Sequence, residues 1–417
     1  MEALAKSARK ITYTLFIAQS LTSAAVIAMA TLNAIVGADL GHSASWAGVP
    51  SAIYLLVGAF ASGIWGYLME RLGRRNGLIL GMLLGVIGSI IAVLAVNASA
   101  LMEFLVGVGL VGAAMAAMTL GRFTAGDVNL PERRGWAIST VVLGGTLGAI
   151  FGPILVAPTG QVAASRGLDE LSGAYLAAIL LFIAAGGVLF TWLRPEPRFL
   201  SRQIAQLFPD PVHAEGNPRP LTQILRQPAV IVAMLAMIFG QMVMGMVMVI
   251  TSLHMRDHQH GLGEISFVIS AHTVGMFAFS IISGRLADRW GRGPVILFGS
   301  LTLGLACLAA TLSPQVIPLA VALFLLGLGW NFCFVGGSTL LADQLMPGER
   351  VRTQGFNDMA VGLASALGSL GSGLVFAVLG YNVMALIGAG LALIPVIATI
   401  GWRRKVSGEK RQTIPDR

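Results

Sequence analysis

Long apolar runs, separated by short polar segments rich in arginine, are the main pattern of this 417-residue chain. The runs reach roughly 20 residues, the length that an α-helix needs to cross the ~30 Å apolar layer of a bilayer. We therefore predict an all-α membrane protein with twelve transmembrane helices. The predicted spans are residues 11–36, 46–69, 77–97, 100–121, 136–157, 172–193, 228–253, 264–284, 294–312, 315–342, 354–379 and 381–402.

The composition and the positions of the basic residues support this topology. Hydrophobic residues make up 56% of the chain and charged residues only 11%, against about 25% charged residues in soluble domains. All of the 27 Lys and Arg residues except Arg166 and Arg256 fall on one side of the predicted spans. Because basic loops stay inside, both termini and the long central loop are predicted to be cytoplasmic. The net charge of +8 then reflects topology, and the predicted partner is the lipid bilayer, with no nucleic acid.

A polar, proline-containing stretch at 194–227 divides the chain into two halves. The halves share a repeat, since GYLMERLGRR at 66–75 matches GRLADRWGRG at 284–293 with an offset of 218 residues. Parallel repeats of this kind are typical of secondary transporters. The predicted parts are an N-terminal six-helix bundle (1–193), a cytoplasmic linker with a short surface helix (194–227), a C-terminal six-helix bundle (228–402) and a basic cytoplasmic tail (403–417).

The repeated segment contains the residues of a breakable cytoplasmic latch. Glycine at a helix end permits close approach of a neighbouring helix, and a carboxylate can pair with the arginines that follow it or cap a helix N-terminus. The alternative is that the arginines only fix the topology. The predicted latch residues are Gly66, Glu70, Arg71, Arg74, Gly284, Asp288, Arg289 and Arg292.

Both copies of this segment resemble the loop signature of the major facilitator superfamily, the first with Glu70 where Asp is usual. The resemblance implies twelve helices in two pseudo-symmetric bundles, a central cavity that opens alternately to each side, and a monomer. The segment GGTLGAIFGP at 144–153 also resembles the antiporter motif of that superfamily. Small residues four apart would, however, pack helices tightly in any bundle.

Ionisable residues are nearly absent from the middle of the spans, where His272 is the exception. Charges inside a membrane mark proton relays and sites for charged substrates, so a charge-rich site for organic anions is not expected. No nucleophile–base pair, hydrolase-type metal spacing or phosphate loop indicates an enzyme.

Methionines cluster in QMVMGMVMVITSLHM at 241–255. On a helix, Met244 and Met248 lie about 40° apart, with Met237 and Met255 between them. The next span places His272 and Met276 one turn apart. Thioether and imidazole groups favour copper, above all Cu(I). The alternatives are that methionine is adaptable packing material and that the histidine is satisfied by a local hydrogen bond.

The two pairs, Met244 with Met248 and His272 with Met276, resemble the paired motifs of the bacterial CcoA-type copper importers. This resemblance implies a bacterial inner-membrane protein that takes copper into the cytoplasm for heme–copper oxidase assembly, with a cytoplasmic copper chaperone as a candidate partner. Copper would be cargo, and no cofactor is expected. A rival interpretation is an exporter of small amphipathic organic compounds; a membrane enzyme or a copper sensor is a weaker one. Candidate relay residues are Met237, Met255, His254, His258, His260 and Cys333, although 254–264 also fits an ordinary polar loop.

Overall fold

The computed structural model describes residues 2–130, 133–207 and 219–412. Within these ranges every regular element is helical, and eleven segments are long and apolar enough to cross a membrane. The all-helical membrane architecture predicted from the apolar runs is therefore confirmed.

The helices follow one another with short connections. The first half contains α1 (Glu2–Leu40), α2 (Val49–Leu72), α3 (Arg74–Asn97), α4 (Leu101–Thr119), α5 (Gly121–Asp127), α6 (Arg134–Phe151), α7 (Val156–Ser165) and α8 (Gly173–Trp192). The connecting segment contains α9 (Pro197–Leu207) and α10 (Leu221–Leu225). The second half contains α11 (Pro228–Asp257), α12 (Leu262–Phe277), α13 (Ser280–Trp290), α14 (Arg292–Ala310), α15 (Val316–Asp343) and α16 (Pro347–Gln412).

The eleventh candidate span, Arg352–Arg404, is 53 residues long. At 1.5 Å per residue it would extend about 80 Å, more than twice the thickness of the apolar layer. Its backbone leaves the helical conformation at Gly380, with φ 77° and ψ 175°. Glycine adopts this positive φ without steric cost, so residues 352–379 and 381–404 form two helical segments, each long enough for one crossing.

Several spans are broken where the sequence pattern is continuous. The fifth span extends from Arg134 to Ser165, beyond the predicted end at 157, because Pro153 starts a short 3₁₀ turn that joins α6 to α7. Proline tolerates this position since its missing N–H would be unpaired there. The eighth span breaks between Phe277 and Ser280, the residues that end α12 and begin α13.

The described chain forms two compact units, Met1–Val212 with Gln259–Ser270, and His213–His258 with Ala271–Arg417. In the first unit, glycines of α6 lie directly against the α1 backbone: an added Cβ on Gly148 would contact the Ser20 carbonyl, and one on Gly152 would lie 2.7 Å from the Ala24 carbonyl. The glycines of the antiporter-like segment therefore serve close helix packing in this unit.

The structure describes the two ends of the linker, and each end packs against the rest of the chain. Helix α9 buries Leu200 and Ile204 and exposes Phe199. At the other end, Arg219 binds the fully buried carboxylate of Glu349, with 2.6 Å between Nη2 and Oε2. Residues 208–218 of the predicted linker and 413–417 of the predicted tail lie outside the described residues.

Candidate functional site

The repeated polar segments have matching geometry in the two units. Gly73 and Gly291 adopt φ of 90° and 89°, a conformation open mainly to glycine. The arginine that follows each glycine contacts a carboxylate at the end of the fourth span of its own unit: Arg74 reaches Asp127 at 3.4 Å and Arg292 reaches Asp343 at 2.9 Å. The internal repeat read from the sequence thus corresponds to a repeated structure.

The other predicted latch residues differ between the two copies. Asp288 pairs with Arg292 at 2.9 Å, whereas Glu70 at the equivalent position is exposed. The guanidinium of Arg71 lies 4.4 Å from the centre of the Tyr67 ring, and Arg289 is exposed. An added Cβ on Gly66 or Gly284 would meet no described atom within 4 Å. The close helix approach expected at these two glycines is therefore not made in this structure.

Met237, at one end of the methionine stripe of α11, packs against other helices of its own unit. The Met237 sulfur accepts a hydrogen bond from Asn357 Nδ2 of α16 at 3.6 Å. The Cγ atom of Met237 lies so close to Gly337 of α15 that a Cβ added to this glycine would be 2.8 Å from it. Met244 and Met255 are buried and Met248 is half-buried. Convergence of the Met244–Met248 and His272–Met276 pairs on one point stays a prediction.

His272 is fully buried and directed at α15. Its Nδ1 lies 2.9 Å from the carbonyl oxygen of Leu323. A carbonyl only accepts hydrogen bonds, so Nδ1 carries the proton and Nε2 keeps its lone pair. Nε2 has no hydrogen-bond partner in the described part of the chain. An imidazole held at one nitrogen by a carbonyl and free at the other has the arrangement found in metal-binding histidines.

The remaining relay candidates are buried or contact neighbouring side chains. Cys333 is buried, with its sulfur 3.4 Å from Ser300 Oγ of α14, so it packs inside the unit. His254 stacks on Tyr381 with 4.0 Å between ring centres and contacts His258 edge-on. His260 pairs with Glu264 at 3.1 Å. Among the described residues, no three His, Cys, Asp or Glu side chains are grouped to hold a metal ion.

A cluster that the sequence interpretation did not assign lies in the second unit, and we call it the aromatic–amide cluster. Trp330 Nε1 donates a hydrogen bond to Gln241 Oε1 at 2.7 Å, and Gln241 Nε2 donates to Ser365 Oγ at 3.1 Å. The rings of Trp330 and Phe334 stack with 5.0 Å between their centres, and Phe277 lies edge-on at 6.1 Å from Trp330. The available sequence signal was the i, i+4 spacing of Trp330 and Phe334.

The members of this cluster are accessible as well as connected. Gln241, Phe277, Trp330 and Phe334 are half-buried, and only Ser365 is buried. A hydrogen-bonded amide within a span is expected to face the bundle interior or a water-filled cavity, since lipid cannot satisfy it. The arrangement therefore combines two half-buried, stacked aromatic rings with an oriented amide.

Comparisons with known proteins define the class. The family model of the Major Facilitator Superfamily matches residues 15–263 and 233–416, and the chain belongs to this superfamily of membrane transporters. It is 33% identical to the uncharacterized MFS-type transporter YdeG of Bacillus subtilis (strain 168), covering 93% of this chain and 90% of the relative. It is 30% identical to the riboflavin transporter RfnT of Brucella anthropi, covering 85% and 86%.

More distant matches agree on the fold. The multidrug resistance protein MdtG of Klebsiella pneumoniae (strain 342) is 25% identical, with 90% of this chain and 88% of that protein covered. The crystal structure of the nucleoside transporter NupG matches with a TM-score of 0.68 at 16% identity, covering 94% of this chain and 98% of NupG. None of these four descriptions refers to copper, so the comparisons do not support the resemblance to copper importers.

Proposed function

We propose that this chain is a secondary transporter for a small, neutral organic solute with a planar aromatic ring, of the type represented by riboflavin. The observation that carries the proposal is the aromatic–amide cluster, in which stacked Trp330 and Phe334 stand beside the fixed amide of Gln241. Flat rings prefer offset stacking or edge-on contact with aromatic side chains. The carbonyl and imide groups of an isoalloxazine ring are suitable hydrogen-bond partners for an oriented amide.

The charge distribution favours a neutral cargo. Apart from His272, no ionisable residue occupies the middle of a predicted span, and a charged solute would require a fixed counter-charge there. The relative at 30% identity is described as a riboflavin transporter, and the relative at 25% as a multidrug resistance protein. Both descriptions agree with an organic solute, and they leave import and export as two directions for the experiment to separate.

We infer the topology from the fold together with the charges. The long segment Arg352–Arg404 crosses twice, with its turn at Gly380, which brings the eleven candidate spans to twelve crossings. The basic loops place both termini in the cytoplasm. A bacterial inner membrane fits the bacterial relatives. The paired arginine–carboxylate contacts at Arg74 and Arg292 are the proposed latches of alternating access.

The test is riboflavin counterflow by the purified chain in liposomes. Trp330→Leu should abolish most of the flux, whereas Phe298→Leu is the matched control, because Phe298 is an exposed aromatic residue on α14. If the two variants transported riboflavin equally well, the aromatic–amide cluster would not be the binding site of the solute. No flux by the unaltered chain, with intact reconstitution, would exclude riboflavin as the cargo.

Copper import is the second candidate, and its specific support is the free, buried Nε2 of His272. Met244, Met248 and Met276 would supply the soft thioether donors that Cu(I) prefers. Uptake of radioactive copper in cells without their own importer tests it. Loss of uptake in both His272→Ala and Met244→Ala at matched expression would support copper as the cargo. If the unaltered chain took up no copper, the methionines would have only a packing role.

A further inference from the structure

Helix α9 places two arginines over the junction of α2 and α3 in the first unit. The two arginines of α9, Arg198 and Arg202, line a surface pocket of about 390 Å³. The walls of this pocket also include Arg71, Leu72, Arg75 and Phe199. This end of the unit is the one with the basic loops, which the charge distribution predicts to be cytoplasmic.

The pocket carries an excess of positive charge. Its wall contains four arginines and one carboxylate, that of Glu196, which accepts the backbone N–H of Arg75 at 3.3 Å. On their other side Arg198 and Arg202 line an adjoining pocket with Glu70 and with Asp127, and Asp127 is paired with Arg74. The Arg75 guanidinium is engaged with the Phe190 carbonyl at 2.6 Å. Arg198 and Arg202 make no hydrogen bond or ion pair with another residue in the described ranges, and Arg198 is half-buried. Two unpartnered guanidinium groups four residues apart present donors suited to a phosphate group.

The surroundings of the pocket are apolar on the outer side. Phe199, at the pocket edge, is 63% exposed, and Phe190 and Trp192 at the end of α8 are also exposed. Helix α9 buries Leu200 and Ile204 against the unit, so it lies along the surface at the level where α2 and α8 end and α3 begins. Exposed aromatic residues beside arginines are typical of the boundary between acyl chains and headgroups.

We propose that this pocket binds the headgroup of an anionic phospholipid. The phosphate lies between Arg198 and Arg202, with Arg71 and Arg75 adding positive charge, and the acyl chains run along Phe199 and Leu72. A soluble phosphate would use the same arginines but would gain nothing from the exposed Phe199. The apolar rim therefore favours the lipid as the source of the phosphate.

The experiment is native mass spectrometry of the purified full-length chain with phosphatidylglycerol or with phosphatidylcholine of the same acyl composition. We expect preferential binding of phosphatidylglycerol. The double variant Arg198→Gln with Arg202→Gln should weaken it about 30-fold, at about fivefold for each basic side chain near a membrane surface. Arg166→Gln with Arg226→Gln is the matched control, since it removes two exposed arginines elsewhere.

The charge-preserving variant Arg198→Lys with Arg202→Lys checks that the effect is electrostatic, and it should retain most of the binding. Equal phosphatidylglycerol binding by the Gln double variant and the unaltered chain would overturn the proposal. It would also be overturned if the two lipids bound equally well. Displacement of the lipid by millimolar inorganic phosphate, with no preference for the lipid, would identify a soluble-anion site instead.

Discussion

Substitution of Gly148 by alanine should separate α6 from α1 in the first unit. An added Cβ would lie 2.8 Å from the backbone nitrogen of Ala24 and closer still to the carbonyl oxygen of Ser20. Unstrained contact between such atoms needs about 3.5 Å, so the helices must move apart by roughly 1.5 Å. Overpacking costs about 1–3 kcal/mol. The upper end applies here because both obstructing groups are backbone atoms of a helix, which have no rotamer to change.

The assay is thermal unfolding of the purified chain in detergent, followed by tryptophan fluorescence. A loss of ~3 kcal/mol corresponds to about a 100-fold change in the unfolding equilibrium, and we expect a fall in Tm of roughly 5 °C. Gly145→Ala is the control on the same helix: its Cβ would lie 3.4 Å from the side-chain ends of Gln19 and Ser23, which can move. Equal Tm values for the two variants would refute the packing argument.

Two further predictions concern buried polar contacts. The side-chain hydrogen bond from Arg219 lowers the pKa of Glu349 from 4.5 to about 2. Because the folded pKa lies below the ordinary value, the contact stabilises the fold above pH 4.5. This stabilisation is lost as the pH falls toward 2. Glu349→Gln should reproduce that loss at neutral pH, measured as faster proteinase K cleavage around α10, and an unchanged cleavage rate would contradict it. Asn331 Nδ2 donates to the Met276 carbonyl at 2.6 Å and to Ser280 Oγ at 2.8 Å, across the break between α12 and α13. Asn331→Leu should therefore cost about 1–3 kcal/mol, seen as a lower Tm, whereas an unchanged Tm would show that the break is held by other contacts.

The apolar spans could be predicted because they follow from local composition, and the repeat because the same motif residues recur at 66–75 and 284–293. Runs of apolar residues have the length that a bilayer imposes, and arginines mark the ends that stay inside. The breaks within spans were not accessible. Phe277 and Ser280 flank one such break inside a continuous apolar pattern, where a side chain from another helix, Asn331, satisfies the freed carbonyl.

The direction of individual side chains was the main limit on the site. A helix that is apolar on all sides gives little indication of which face meets which neighbour. His272 stands out in the sequence as an ionisable residue in the middle of a span, but its bond to Leu323 of α15 depends on a tertiary contact. For the same reason the contact of the Gln241 amide with Trp330 of another helix could not be predicted from the sequence.

The central claim is that an aromatic solute stacks on the aromatic–amide cluster, and riboflavin offers a direct readout because its fluorescence is quenched by a stacked indole ring. We would titrate riboflavin with the purified chain and with Trp330→Leu, using Phe298→Leu as the control. The proposal predicts saturable quenching by the unaltered chain and the control, and binding at least about 10-fold weaker in Trp330→Leu, consistent with ~1–3 kcal/mol for one stacked ring. Unchanged quenching in Trp330→Leu would contradict it.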